Sequence, residues 1–168
     1  DGIIQQFDTP QQIYDTPVNL FVGGFIGSPS MNFIPCRISQ HDQRKGIFLK
    51  TEEEKPFFLP IDRQYLLSGE RNDPEVILGI RPEQISNGFP DQDENPHIHE
   101  IRGIVEVVEP TGSDTLVFIT MNGKKITCRC NPKAAGRPGE SMKLMMDMSK
   151  AIFFNPNSGH RIEEGDVI

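Results

Sequence analysis

The clearest strand pattern in the chain lies between positions 115 and 130. Residues 115–121 contain an apolar run from Leu116 to Ile119, polar and apolar residues alternate from Lys125 to Cys130, and Asn122-Gly123 lies between the two segments. Asn-Gly is a strong signal for a two-residue hairpin turn, because both positions of that turn need positive φ. The pattern therefore predicts a β-hairpin in which Met121 faces Lys124. One face of it should be buried and carry Val117, Ile119, Ile126 and Cys128.

Other short apolar runs, separated by polar turns, predict further strands. A chain with 15 glycines and 14 prolines also favours many turns over long helices. We therefore expect a mainly β fold. The remaining predicted strands cover residues 2–7, 33–41, 47–49, 57–59, 76–81, 101–109, 142–146 and 151–154.

Two short helices are predicted before the first long strand. Thr9 is a favoured N-cap residue and Pro10 is favoured at the first helical position, so a short helix is predicted to begin here. The apolar residues between Leu20 and Ile26 recur near helical spacing, which predicts a short, mostly buried helix that ends at Gly27. The strand that follows should break at Pro35. A further helical turn is predicted from Asp62 through Leu66 and Leu67.

Charge and composition exclude several functional classes. The net charge of −7 argues against nucleic-acid binding, which needs clustered lysine and arginine. No apolar run approaches the roughly 20 residues of a membrane span, and no signal peptide is recognisable. Three cysteines without CxxC spacing do not form a disulfide framework, so we expect a reducing compartment.

Catalytic and metal-binding patterns are weak throughout. Cys128 and Cys130 fall in the hairpin among apolar neighbours, where cysteine behaves as a small hydrophobe. His97 and His99 lie in a polar segment with one nearby carboxylate, fewer ligands than a metal site needs. Leu67-Ser68-Gly69-Glu70 is interpreted as a turn. No phosphate-binding loop is present, so we expect no catalytic residue, cofactor or metal in this chain.

Three segments carry a resemblance to a known family. Residues 19–22, 24–29 and 31–33 form the first, Leu78 to Ile85 the second, and Phe154-Asn155-Pro156 with Ser158-Gly159 the third. Together they resemble the C-terminal part of ATP-binding subunits of sugar-importing ABC transporters, of the maltose and glycerol-phosphate type. The family commonly has alanine at the position of Gly23. A glycine inside a helix costs about 1 kcal/mol, so this helix should be looser.

The resemblance implies an architecture and a role. Residues 1–27 would be the short α/β remnant of a nucleotide-binding domain with its linking helix, and residues 28–168 a small OB-like β-barrel regulatory domain of the TOBE type. The residues of this interdomain junction would be Phe25, Gly27, Pro29, Asn32 and Phe33. Such a domain dimerises with a second copy, and the full-length parent binds ATP and Mg. The parent works with membrane subunits at the inner face of the cell membrane, in the cytoplasm.

The resemblance also indicates where a regulatory or dimer surface would lie. One candidate segment contains Gly79, Arg81, Pro82 and Glu83, and the other contains Glu109 and Gly112. Both combine a rigid turn with charged groups at a strand end, where small barrels present binding surfaces. Turn chemistry alone would also explain these residues.

Two functional hypotheses follow. The first is a non-catalytic regulatory and dimerisation domain that forms part of a longer ATPase and can bind a regulatory protein. The chain starts at Asp1 rather than methionine, so we expect a fragment. The second is a free-standing β-barrel that binds a small anion or oligosaccharide. The shortage of clustered basic residues and the absence of tryptophan speak against it. No arrangement of catalytic residues in the sequence supports the hypothesis that this chain is an enzyme.

Overall fold

The computed structural model describes residues 2–51, 55–61, 74–90, 92 and 94–163. Within these residues the chain is mainly β, as predicted. The predicted turn after Asp62 and the segment Leu67-Ser68-Gly69-Glu70 lie outside them. No described helix is long and apolar enough to cross a membrane. The elements are α1 (Pro10–Asp15), α2 (Leu20–Phe25), β1 (Asn32–His41), β2 (Arg44–Leu49), β3 (Phe57–Pro60), β4 (Glu75–Ile80), β5 (Ile85–Ser86), β6 (Ile98–Ile104), β7 (Val107–Pro110), β8 (Thr115–Met121), β9 (Lys124–Cys130), β10 (Ser141–Asp147) and β11 (Ile152–Phe154), with 3-10 turns at Pro82–Gln84, Pro132–Ala134 and Met148–Lys150.

The described strands pair into three antiparallel sheets. Their orders are β11-β4-β1-β2-β3, β5-β10-β6 and β7-β8-β9. The inner faces of all three pack on one apolar core. Backbone pairing does not close these strands into a continuous barrel, so the predicted barrel is better described as an OB-like arrangement of three sheets.

Asparagine side chains join the sheets where backbone pairing stops. The Asn32 amide donates to the Thr127 carbonyl at 2.9 Å and accepts from the Thr127 N–H at 2.8 Å, which connects β1 to β9. Asn122 donates to the Pro35 carbonyl at 2.8 Å and accepts from the Lys50 N–H at 2.7 Å. These primary amides reproduce the donor and acceptor of a paired strand residue. They therefore extend the hydrogen-bonding ladder between sheets.

The hairpin of β8 and β9 has the predicted register. Met121 pairs with Lys124 and Val117 with Cys128, and Asn122 and Gly123 adopt positive φ values of 48° and 71°. All four residues predicted for the inner face are fully buried. The prediction succeeded because a turn of two residues leaves no freedom in the pairing.

Three predictions about strands are wrong. Residues 2–7 form no strand, and the segment is held by glutamine side chains: Gln6 accepts from the Val18 N–H at 3.1 Å. Residues 101–109 form two strands, because the chain crosses between sheets at Val105, whose N–H donates to Glu140. β1 runs unbroken through Pro35, which lies in the part of β1 that pairs with β4 alone, so its missing N–H breaks no ladder.

Candidate functional site: the junction around Arg81

Arg81 follows β4 directly and is buried, with 3% of its surface exposed. Its guanidinium donates through Nη1 to the carbonyls of Gly23 at 3.2 Å and Ile26 at 2.5 Å, and through Nη2 to the carbonyl of Tyr14 at 2.6 Å. These carbonyls lie at the C-terminal ends of α2 and α1, where helical hydrogen bonding leaves carbonyls without partners. One cationic side chain therefore terminates both helices and ties them to β4, in agreement with the helix dipole.

Tyr14 connects the same guanidinium to a carboxylate. The Arg81 Cζ lies 4.0 Å from the centroid of the Tyr14 ring, a cation–π distance. The Tyr14 hydroxyl donates to Glu83 Oε1 at 2.5 Å. Burial, with the hydrogen bond to Glu83, raises the pKa of Tyr14 to about 12. The phenol therefore remains protonated and a donor at neutral pH. We call Tyr14, Gly23, Ile26, Arg81 and Glu83 the Arg81 junction.

Charge balance explains how this arginine is tolerated in a buried position. Burial lowers the pKa of Arg81, while the nearby Tyr14 and Glu83 raise it. A buried cation needs both a counter-charge and hydrogen-bond acceptors. Glu83 supplies the first, and three carbonyls supply the second. The Nε–H of Arg81 has no acceptor among the described residues, so the guanidinium is not completely satisfied.

The turn after β4 fixes the direction of the Arg81 side chain. The Arg81 N–H donates to Gln84 Oε1 at 3.0 Å, and the Gln84 N–H donates to the Arg81 carbonyl at 2.9 Å. Pro82 begins the 3-10 turn, where its missing N–H is not needed. This reciprocal pair holds the backbone on both sides of the proline.

Gly27 makes room for the guanidinium. Its φ is +112°, in the region that favours glycine, and a Cβ there would lie 3.1 Å from Arg81 Nη1 and 3.1 Å from the Pro29 carbonyl oxygen. Any larger residue would therefore strain the backbone and press on the guanidinium. The sequence predicted Gly27 as a helix terminator and a junction residue, and the structure adds this steric requirement.

Two glycines lie where α2 packs closely on the side chains of the sheet. A Cβ on Gly23 would lie 3.2 Å from Met31 Sδ, and one on Gly24 would lie 3.3 Å from the Phe33 ring. Phe33 in turn packs edge-on against Phe154, with ring centroids 5.7 Å apart. The expectation that Gly23 loosens this helix therefore misses its packing role, since it allows close approach of the helix to the sheet.

The prediction that α2 is mostly buried is wrong. Val22 and Gly23 are its buried residues, whereas Phe21 and Phe25 are 64% and 74% exposed. The two exposed rings stack with centroids 5.9 Å apart. Helical spacing identified an apolar face but not the direction in which it points. The buried residues are instead Val22 and the small Gly23, and a glycine carries no hydrophobic signal.

The structure places the residues of the predicted regulatory or dimer surface in different environments. Gly79, Arg81 and Pro82 are buried and Glu83 is half-buried. Glu109, at the end of β7, and Gly112, in the following loop, are exposed. The two segments belong to different sheets. A role in regulation or dimerisation stays a prediction for both.

Sequence reasoning did not find the partners of Arg81. Tyr14 lies 67 positions away in the chain, and its contact with Arg81 is made through a backbone carbonyl and a ring face, which leave no sequence pattern. Among the predicted junction residues, Asn32 is buried and Phe33 supports α2. The signal that was available is an arginine placed between a buried strand and a proline, where a solvated charge is unusual.

The metal and thiol predictions can be followed to their places in the fold. Cys36, Cys128 and Cys130 are free and buried, and burial raises the pKa of the Cys128 thiol. His97 precedes β6 and His99 lies within it. Among the described residues, no group of three or more histidines, cysteines and carboxylates could hold a metal ion.

The chain as described is an OB-like β domain to which Arg81 attaches a helical segment. Comparison with known proteins identifies the class of this domain. Residues 27–85 match the family model of the MalK OB fold domain, and residues 78–154 match that of the TOBE domain. The two matches overlap and together span residues 27–154, so the chain belongs to the MalK OB fold and TOBE domain families.

Individual relatives agree with this assignment. An ABC transporter ATP-binding protein of Sinorhizobium fredii is 40% identical over 96% of this chain and 39% of its own length. The trehalose/maltose import ATP-binding protein MalK of Thermococcus litoralis is 32% identical, and the sulfoquinovosyl glycerol transport ATP-binding protein SmoE of Agrobacterium fabrum is 33% identical, each over 96% of this chain. The chain spans 42% and 41% of those two relatives.

A comparison with solved structures gave a more distant likeness. The cytoplasmic molybdate-binding protein ModG aligns with 74% of this chain and 96% of its own, at 14% identity and a TM-score of 0.46. That score lies below the level at which a shared fold is inferred.

Proposed function

We propose that this chain is the regulatory and dimerisation domain of the ATP-binding subunit of an ABC importer for sugars or related solutes. The observation that carries the proposal is the anchorage of α1 and α2 to the β domain by buried Arg81. A domain that transmits movement must be firmly attached to the segment that moves. The names of relatives such as MalK and SmoE, which import sugars or sugar derivatives, support the solute class.

Residues 1–27 are, in this proposal, the end of the nucleotide-binding domain together with the linking helix. The MalK OB fold match starts at residue 27, which supports this boundary. The segment also presents large exposed apolar residues, as expected for a surface covered by the rest of a longer protein. They are Ile3, Ile4, Phe7, Phe21 and Phe25, which are 64% to 95% exposed.

The mechanism is mechanical. The helical segment follows the nucleotide-binding domain as that domain opens and closes on ATP and Mg, and the Arg81 junction passes the movement to the β domain. The β domain meets a second copy of itself, and its outer surface receives a regulatory protein. Membrane subunits are contacted through the nucleotide-binding domain, which places this domain in the cytoplasm at the inner face of the membrane.

The chain alone should neither bind nor hydrolyse ATP, because its sequence has no phosphate-binding loop to supply a cradle of backbone N–H groups. Calorimetric titration of this chain with ATP and Mg should show no saturable heat. The natural gene product should be more than twice as long and carry that loop upstream, as the 39% coverage of the Sinorhizobium relative indicates. Micromolar ATP binding by this chain, or a gene product of this length, would contradict the proposal.

The exposed candidate surface can be tested without disturbing the Arg81 junction. Glu109→Lys reverses a charge on exposed β7, whereas Glu83→Lys would also remove the acceptor of Tyr14. In the full-length transporter, Glu109→Lys should alter the lifetime of the subunit dimer or the inhibition of transport, with an unchanged melting temperature.

The matched control is Glu94→Lys, the same change at an exposed position in the loop before β6. It should change neither dimer lifetime nor inhibition. If Glu109→Lys behaves like this control, the contact surface lies elsewhere on the domain.

A further inference from the structure

A cleft lies between the helical segment and the β domain, beside the Arg81 junction. Its volume is about 540 Å³, within the range of about 300–1,000 Å³ typical of small-molecule sites. One wall is formed by Gln11, Tyr14, Asp15 and Thr16 of the α1 segment. The facing wall comes from the end of β4, the 3-10 turn at Met148–Lys150 and the start of β11. We call this space the junction cleft.

Charges of both signs line the junction cleft in equal number. The cations are Arg81, Lys150 and Arg161, and the carboxylates are Asp15, Glu83 and Asp147. Arg161 is paired with Glu163 at 2.5 Å, and Glu83 accepts the hydrogen bond of Tyr14. The cleft thus has no surplus of positive charge. A phosphate or other multivalent anion would need such a surplus, since it is bound by convergent cations.

The remaining lining is apolar and amide. Met31, Phe89 and Ile152 supply apolar surface, and Gln11 and Gln84 supply amides. The Gln84 side chain is committed to the Arg81 N–H, whereas Gln11 is exposed and bonds Asp15 within α1 at 2.6 Å. Carboxylates, amides and cations next to an apolar surface match a molecule with hydroxyls on its edges and C–H groups on its faces. Each hydroxyl both donates and accepts, so it can satisfy either sign of charge.

We propose that the junction cleft binds an uncharged, hydroxyl-rich small molecule of mono- or disaccharide size. Carboxylates such as Asp147 accept from its hydroxyls, and Lys150 donates to them. Phe89 packs against its apolar face. Binding contacts the α1 segment and the β domain together, so the ligand adds to the contacts that hold the helical segment on the β domain.

The regulatory consequence rests on the proposed function. In a transport ATPase, a ligand at this position would change how strongly the β domain follows the nucleotide-binding domain. Binding of the small molecule itself requires only the junction cleft and does not depend on the proposed function.

The test is a calorimetric titration of the full-length subunit, without nucleotide, with maltose, trehalose and glucose 6-phosphate. We expect saturable binding of a neutral saccharide with a Kd of about 1 mM or below, and weaker binding of glucose 6-phosphate. Lys150→Ala and Gln11→Ala should each weaken the saccharide at least about fivefold, or about 1 kcal/mol, because each removes an exposed donor from the cleft.

Lys133→Ala provides the control, since Lys133 is also exposed but lies in the 3-10 turn Pro132–Ala134, outside the cleft lining. It should leave the affinity unchanged. The proposal is overturned if neither saccharide binds at about 10 mM, if glucose 6-phosphate binds more tightly, or if Lys133→Ala weakens binding as much as Lys150→Ala. Failure of the proposed function would appear separately, as a gene product without an ATPase domain.

Discussion

Arg81 shows how one buried polar side chain can join a helical segment to a β-sheet. Its guanidinium contacts the carbonyls at two helix ends and the face of the Tyr14 ring. An apolar side chain of similar size could not donate hydrogen bonds to those carbonyls. A lysine would retain the charge, but its single ammonium cannot span carbonyls on separate helices in a planar fork. The identity of this residue, and not only its charge, therefore determines how the helical segment is held.

Arg81→Lys should destabilise the chain by about 2–4 kcal/mol, because acceptors on α1 and α2 lose their donor in a buried site. Denaturant unfolding followed by circular dichroism measures the change. Arg37→Lys is the matched control: Arg37 pairs with Glu75, but their side chains are 66% and 67% exposed. That control should cost no more than about 0.5 kcal/mol. Equal effects of the two changes would show that the Arg81 contacts contribute nothing specific.

At the scale of elements, the sheets are joined by side chains where strands cannot continue to pair. Asn32 joins β1 to β9, and Asn122 joins the hairpin turn to β1 and to Lys50 after β2. A single amide side chain can connect two strands of an OB-like core in this way, because it supplies both a hydrogen-bond donor and an acceptor. Replacing either amide removes one donor and one acceptor from backbone partners, which are part-buried at Asn32 and exposed at Asn122.

Asn32→Asp tests this role. The change is nearly isosteric, but it removes the donor to the Thr127 carbonyl and places a carboxylate oxygen against that carbonyl in a buried site. We expect a loss of about 2–3 kcal/mol in the free energy of unfolding at pH 7.

The loss should shrink at low pH, where protonation removes the charge and restores a donor. The matched control, Asn157→Asp, lies in an exposed turn and should be neutral. A neutral Asn32→Asp would mean that the β1 to β9 connection does not depend on this amide.

The sequence predicts elements well where local rules are strict and fails where distant contacts decide. Asn122-Gly123 and the Thr9 cap of α1 define their elements alone, since turn and cap chemistry act within a few residues. The continuity of β1 through Pro35 depends on which neighbour β1 pairs with there. The exposure of Phe21 and Phe25 depends on what α2 packs against. Such choices are made by the tertiary structure, so periodicity cannot anticipate them.

The candidate site was predicted in outline only. Its turn at residues 79–83 was recognised through the family resemblance, and Gly27 and Phe33 were assigned to the junction. The inward direction of Arg81 was not foreseen, because a charged residue beside a proline usually belongs to a solvated turn. Its contact with Tyr14 joins residues 67 positions apart.

For the whole molecule, we expect the helical segment and the β domain to move as one mechanical unit. The acceptors at the ends of α1 and α2, the close approach of α2 to Phe33 and the Tyr14 to Glu83 hydrogen bond all act across the same boundary. Independent contacts of this kind stiffen a junction together, since movement at one requires movement at all. Movement in the longer protein should therefore occur on the far side of α1, not between α1 and the β domain.

A distance measurement in the full-length subunit tests this claim most directly. Gln11→Cys in α1 and Lys124→Cys in the β8–β9 hairpin place spin labels at exposed positions on the two sides of the Arg81 junction, while the three cysteines of this chain are buried. Electron–electron double resonance should give one narrow distance distribution that is the same with and without ATP. A second distance population, or a shift when ATP is added, would contradict the account, because it would place the hinge at the junction itself.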